Sequence, residues 1–175
     1  DYYAKVADAL SRITTPLVVL ADNDDLLIPD GLAAAARFLI DHPAYVACAG
    51  HCAVFWVAGD AVTGNALYGD VSWKYRSLLR SDTATTASRR VLDQSMGASD
   101  VFYAVHRTAL LRRHFDAVRQ CNPSDLYLME QLVAFLTAIA GPGHQLDTLY
   151  LARQLDSPGS SGEAHRVRYG GWFDR

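Results

Sequence analysis

Apolar positions recur along this chain with a period that changes from segment to segment. Tyr3, Val6, Leu10 and Ile13 lie at helical spacing until Thr14-Thr15-Pro16 closes the pattern, which predicts an amphipathic helix. Leu17-Val18-Val19-Leu20-Ala21 is a continuous apolar run and predicts a strand buried on both faces of a parallel-type sheet. It stops at Asp22-Asn23-Asp24-Asp25. Pro29-Asp30 then opens a helix carrying Leu32, Ala35, Ala36, Leu39 and Ile40, and this helix closes before His42-Pro43. Tyr45 to Ala49 predicts a second buried strand. Ala53 to Ala58 and Ala66 to Tyr68 flank Thr63-Gly64-Asn65, the pattern of a strand pair around a turn. Trp73 to Met96 reads as helical in parts, with a small, polar loop from Thr83 to Ser88.

Farther on, Val101 to Val105 predicts a strand, and Thr108 to Arg119 a helix capped by Thr108. Ser124 caps a longer helix that runs to Ala140 and is stopped by Gly141-Pro142-Gly143. Leu146 to Ala152 predicts the last strand. The succession is that of an α/β protein: a mixed sheet with helices on both faces, spanning residues 1–156. Residues 157–175 open on Pro, Gly and Ser without apolar anchors and predict a flexible tail.

Composition narrows the functional classes. The 175 residues, 50% of them hydrophobic, suffice for one domain with a real core. A formal charge of −3 gives no basic field for a polyphosphate duplex, so no nucleic-acid partner is expected. No apolar run approaches the roughly 18 residues of a transmembrane segment, and nothing resembles a signal peptide. Cys48, Cys52 and Cys121 are too few and odd in number for a disulfide framework, so a cytoplasmic location is expected. The cations are 14 Arg against Lys5 and Lys74, and the acids are 17 Asp against Glu130 and Glu163. In so skewed a chain Glu130 stands out. The sequence opens at Asp1, without an initiator Met and within a helical pattern, as a piece of a longer protein would.

The candidate chemistry begins at the acids. Asp22, Asp24 and Asp25 crowd the end of an apolar strand, where their mutual repulsion calls for a cation or a proton. Hard carboxylate oxygens favour Mg2+ or Mn2+, which bridges acids to the phosphates of a nucleotide, and open α/β sheets bind ligands at the carboxyl ends of their strands. The alternative reading is a solvated Asx turn that caps the next helix.

In the run from Thr15-Pro16 through Leu17 to Asp25, followed by Pro29 and a helix, the sequence resembles a GT-A glycosyltransferase of the family 2-like type. The resemblance continues in Gly97-Ala98 before Val101 to Val105, closed by His106-Arg107, and in Glu130, 11 positions before Gly141. Arg153 closes the last core strand, and the likeness covers residues 3 to 155. It implies a GT-A-like, Rossmann-like fold and a metal-dependent transfer, inverting in outcome, of a sugar from a nucleotide-sugar donor to an acceptor hydroxyl. Asp22 and Asp24 would hold the metal, Asp25 would support them, and Arg153 would join in binding the diphosphate. The general base would be Glu130 or, as the alternative, Asp125. His165 would return from beyond the last strand as a further metal ligand. Two departures from the family pattern stand in this sequence. Gln131 replaces the usual second acid, and the strands that build the family's nucleotide-base pocket are not found within residues 1–175, as expected of a piece of a longer protein.

Other residues carry weaker signals. Cys48-Ala49-Gly50-His51-Cys52 has the look of a zinc site, but no second ligand pair follows, and two small packed thiols are the plainer reading. Arg166 and Arg168 are further phosphate candidates, and Trp56, Trp73 and Tyr75 are candidates for stacking on a sugar. A haloacid-dehalogenase-like phosphatase, with Asp22 as nucleophile and Asp24 as acid-base, is the rival enzyme class. Neither Lys5 nor Lys74 falls where that class needs its lysine. A domain that binds metal or nucleotide without turnover is the non-enzymatic alternative.

Overall fold

The computed structural model describes residues 2–22, 25–58, 70–79, 84–96, 101–123 and 126–154. Within them the elements run α1 (Tyr2–Arg12), β1 (Leu17–Val19), β2 (Asp25–Leu27), α2 (Pro29–Asp41), β3 (Ala47–Ala58) and β4 (Asp70–Ser77). There follow α3 (Ala87–Met96), a 3-10 turn (Val101–Tyr103), β5 (Val105–Arg107), α4 (Thr108–Cys121), α5 (Leu126–Ala140) and β6 (Gly143–Gln154). The strands lie in the order β1-β5-β3-β6-β2, with β4 also bonded to β3. β3 and β6 are parallel, and the other pairs are antiparallel.

The sheet is therefore mixed, and burial shows that helices flank it. Ala47, Cys48 and Ala49 are consecutive in β3 and fully buried. Successive strand residues point to opposite faces, so both faces are covered there. α2 packs on β3 and β6, α4 on β5, and α5 on α3, α4 and the 3-10 turn. This is the α/β class expected from the sequence.

α2 forms where Pro29 fixes the first helical position and Asp30 complements the amino-terminal dipole. Its buried residues, Gly31, Ala35 and Leu39, are four apart and make one face. Gly31 is required by approach: a Cβ there would overlap the Leu149 carbonyl oxygen and stand 2.8 Å from Tyr150 Cα. The first turn of α2 consequently rests on the backbone of β6, and the Ile28 N–H donates to the Tyr150 carbonyl at 2.9 Å.

Arginines close helices at their carboxyl ends, where unpaired carbonyls favour a cation. Arg112 donates to the carbonyls of Leu10 (2.8 Å) and Ile13 (3.0 Å) beyond α1. Arg107 donates to those of Leu39 (2.8 Å) and Tyr45 (2.9 Å) around the end of α2. Arg90, nearly buried, donates to Ala138 (2.7 Å) and Ile139 (3.2 Å) in the last turn of α5.

Several expected boundaries are corrected. The first strand is Leu17–Val19 only, half-buried and antiparallel to β5, so it is not the doubly buried parallel strand predicted for residues 17–21. The second begins at Ala47 and runs on to Ala58, because His51–Ala58 pair with β4. Trp73 to Ser77 lies in that hairpin and not in a helix. Val101–Tyr103 is a turn closed by the Ala104 N–H on the Val101 carbonyl at 3.1 Å. An apolar run that is buried all round has no period to separate turn from strand. Thr108 is the first residue of α4 and does not cap it; its hydroxyl is buried, without a hydrogen-bond partner among the described residues. The last strand extends over Gly143–Gln154. Ser124, the expected turn at residues 63–65 and the expected tail at 157–175 lie outside the described residues.

Candidate functional site

Asp22, beyond the end of β1, bonds to Asp25, the first residue of β2. The Asp22 N–H donates to Asp25 Oδ2 and the Asp25 N–H to the Asp22 carbonyl, each at 3.2 Å. These two bonds fix Asp22 against Asp25 and, through Asp25, against the sheet. Asp25 is in register with Arg153 of β6. Arg153 Nε lies 2.7 Å from Asp25 Oδ1, and Nη2 lies 2.6 Å from Oδ2, a side-on double hydrogen bond. The Asp25 side chain is 0% exposed and that of Arg153 18%, whereas the Asp22 carboxylate, 3.8 Å from Arg153 Nη2, is 42% exposed. Asp22 is thus the acid of the pair that faces outward.

The second wall comes from the 3-10 turn. β6 carries extra residues relative to β3 between Gln145 and Leu151, and within this irregular stretch the buried Tyr150 hydroxyl donates to the Tyr103 carbonyl at 3.0 Å. That bond ties the turn to the sheet. The Tyr103 ring centroid lies 3.7 Å from Arg153 Cζ, a cation–π contact. Its hydroxyl donates to Asp22 Oδ2 at 2.9 Å and stands 3.5 Å from Glu130 Oε1. Glu130 projects from α5 on the side of that helix that carries the buried Met129, Val133, Ala134 and Thr137.

The electrostatics follow from burial. Burial, together with the negative charge of Asp22, pushes the Glu130 carboxyl up to about 7, while Arg153 and the Tyr103 hydroxyl pull the other way. Burial holds the Tyr103 phenol far above its ordinary range, with the charge of Glu130 adding to it, so Tyr103 stays protonated and acts as a donor. Burial opposes the charge on Arg153, yet the hydrogen bonds to Asp25 outweigh it and keep the guanidinium ionised. The cluster thus holds one fixed cation, two acids beside it, and a third carboxyl poised to exchange a proton near neutral pH.

Asp22, Asp25, Glu130 and Arg153, named from the sequence, come together here. Asp24, Asp125, His165, Arg166 and Arg168 lie outside the described residues. Among the described residues no group of three or more His, Cys, Asp or Glu is placed to hold a metal. Both Asp25 oxygens are occupied by Arg153, which leaves Asp22 as the described acid with an open side. Sequence reading missed Tyr103, which it treated as a strand residue. The signal available was a lone phenol in a buried run, since a buried hydroxyl needs a partner. Cys48 and Cys52 are buried free thiols, and burial pushes Cys48 up to about 12, as expected of packing residues. When the chain is compared with protein-family models and with curated proteins, none matches it.

Proposed function

We propose that this domain is a metal-dependent glycosyltransferase that moves a sugar from a nucleotide-sugar donor to an acceptor hydroxyl, with inversion. The observation that carries the reading is the meeting of Asp22, Tyr103, Glu130 and Arg153, from separate segments of the chain, in the order of motifs that resembles the GT-A type. A half-exposed carboxylate fits a divalent cation, because Mg2+ is commonly held by one or two carboxylates with phosphates and water completing its shell. Asp22 would hold Mg2+ or Mn2+, with Asp24 as the second acid. When bound, the ion neutralises negative charge on the departing diphosphate.

The chain's own residues supply the rest. Glu130 accepts the proton of the acceptor hydroxyl at its Oε1, and its raised pKa makes it an effective base near neutral pH. Tyr103 fixes Asp22 by its hydrogen bond and brings Asp22 and Glu130 to one shared hydroxyl. Arg153, locked by Asp25, stacks over the Tyr103 ring and offsets the charge of Asp22.

Calorimetry with uridine and guanosine diphosphates, with and without Mg2+, tests the donor half of this reading. Metal-dependent binding that Asp22→Ala abolishes is expected; equal binding in EDTA would overturn it. The acid-base half is tested by Glu130→Gln, which should slow transfer by about 10²–10⁴-fold with donor affinity unchanged. Unaltered turnover in that variant would remove Glu130 as the base.

A further inference from the structure

The hairpin of β3 and β4 has a second face, turned away from Asp25 and Arg153. Directly opposed residues of paired strands present their side chains to one side, and successive residues alternate between sides. Arg153 is in register with Val54, and Val54 with Lys74, so these three share the side that carries Asp25. Trp73, Tyr75 and Ser77 of β4, opposed to Phe55, Ala53 and His51 of β3, lie on the reverse. The ring centroids of Trp73 and Phe55 are 4.9 Å apart, which braces the indole against the sheet. Even so braced, Trp73 is 58% exposed, and Tyr75 is 68% exposed. Ser77, next in the row, is exposed as well. Beside it, His51 Nε2 lies 3.1 Å from Oδ1 of the exposed Asp147.

The row therefore carries two broad rings followed by a hydroxyl, an imidazole and a carboxylate. From Trp73 to Ser77 it spans about 14 Å, the length of roughly three linked pyranose rings. Lys74 and Arg76, the cations of β4, project to the other side, so nothing along the aromatic part of the row selects a charged ligand. Pyranose rings suit such a surface: their C–H faces stack on aromatic rings, and the hydroxyls at their edges bond to polar groups. The size of the patch also argues for a small ligand. A fully buried Trp or Tyr contributes about 150–250 Å², so the exposed parts of Trp73 and Tyr75 amount to roughly 200–300 Å². A stable protein interface takes about 800 Å² from each partner. We propose that Trp73 and Tyr75 form a platform that binds a neutral oligosaccharide, whose hydroxyls reach Ser77, His51 and Asp147 at one end. The platform lies across the sheet from Asp25 and Arg153, so it holds a glycan without entering the transfer step and does not depend on the transferase reading.

NMR of the nitrogen-15-labelled chain tests this, because the sequence holds three tryptophans and Trp73→Phe assigns the indole N–H signal of Trp73. The probes are cellohexaose, laminarihexaose and xylohexaose, with glucose as the reference. At least one hexaose should move the Trp73 signal and bind at least about tenfold more tightly than glucose, since it spans both rings and the polar end together. Salt should leave this binding unchanged, as for any uncharged ligand. Trp73→Ala and, separately, Tyr75→Ala should each weaken it by about tenfold, and both side chains are exposed, so the core is untouched. Lys74→Ala, on the other side of the strand, should leave it intact. If no hexaose binds more tightly than glucose, or if binding is unaltered in both aromatic variants, the proposal is overturned. A dimer in sedimentation that Trp73→Ala disperses gives the patch to a second copy and overturns it too. So does loss of Mg2+-dependent nucleoside diphosphate binding in Tyr75→Ala, which would put the aromatic row in the donor site. A chain that binds a hexaose but no nucleoside diphosphate refutes the transferase reading and keeps the platform; the converse pattern refutes the platform alone.

Discussion

Arg153 meets Asp25 side-on through two hydrogen bonds of 2.7 and 2.6 Å, and the carboxylate is fully enclosed. Removing one partner of such a pair strands a buried charge, at a cost of about 3–5 kcal/mol. Arg153→Ala and Asp25→Ala should each lose stability on that scale in urea denaturation. Replacing both, with Arg153→Met and Asp25→Leu, should be less damaging than either alanine change by itself. Additive losses in the double variant would show that the pair is not coupled.

Tyr103→Phe keeps the ring under Arg153 and deletes the hydroxyl that reaches Asp22. A loss of about 1 kcal/mol is expected from the hydrogen bond. The hydroxyl also draws the Glu130 carboxyl downward, so its removal should raise the Glu130 pKa further. Carbon-13 detection of the Glu130 carboxyl across pH reads this directly; an unchanged or lower midpoint would contradict the geometry.

Glu130 also ties stability to pH. Its folded pKa, about 7, lies above its ordinary value of 4.5, so between these values the folded state holds a proton that the unfolded chain has released. The contribution is fully present below pH 4.5 and is lost as pH rises through 7. Glu130→Gln lacks this loss. It should be more stable than the parent at pH 8, by on the order of 2 kcal/mol, and the gain should vanish near pH 4.5. Equal differences at the two pH values would show that the carboxyl titrates normally.

His106 and His114 act with the opposite sign. Burial pulls both imidazoles from 6.5 to about 4, and His106 Nε2 donates to the Val101 carbonyl at 2.8 Å as a neutral ring. The unfolded chain binds protons first, so stability present above pH 6.5 is lost as pH falls through about 4. With both sites unprotonated in the fold, the slope in this window approaches about 2.7 kcal/mol per pH unit. His106→Gln, which retains a side-chain amide donor, should flatten the acid limb of the unfolding curve by about half. An unaltered limb would place the acid sensitivity elsewhere.

Much of this was legible in the sequence where one period dominates. The spacing of Leu32, Ala35, Ala36, Leu39 and Ile40, bracketed by Pro29 and Pro43, marks α2 at both ends. β4 was not legible, because Trp73, Lys74, Tyr75 and Arg76 put large exposed groups on both faces and leave no apolar alternation to count. Nor does any local pattern reveal that β2 pairs with β6, since Asp25 and Arg153 are 128 positions apart. At the site, the residues read from the sequence were the charged ones, which look out of place in apolar surroundings. Tyr103 was missed because a phenol fits an apolar run as readily as a phenylalanine does.

The arginines that close α1, α2 and α5 come from positions 102, 68 and 48 residues distant from the carbonyls of Leu10, Leu39 and Ala138. A helix end held by its own neighbours frays alone, as a local opening of low free energy. Here, peeling the last turn of α1 releases a guanidinium of α4, and peeling α2 releases one at the end of β5. Each opening therefore spreads to a remote segment. The final-turn amides of these helices should exchange with solvent at the rate of whole-domain unfolding, so that proteases find no early foothold there.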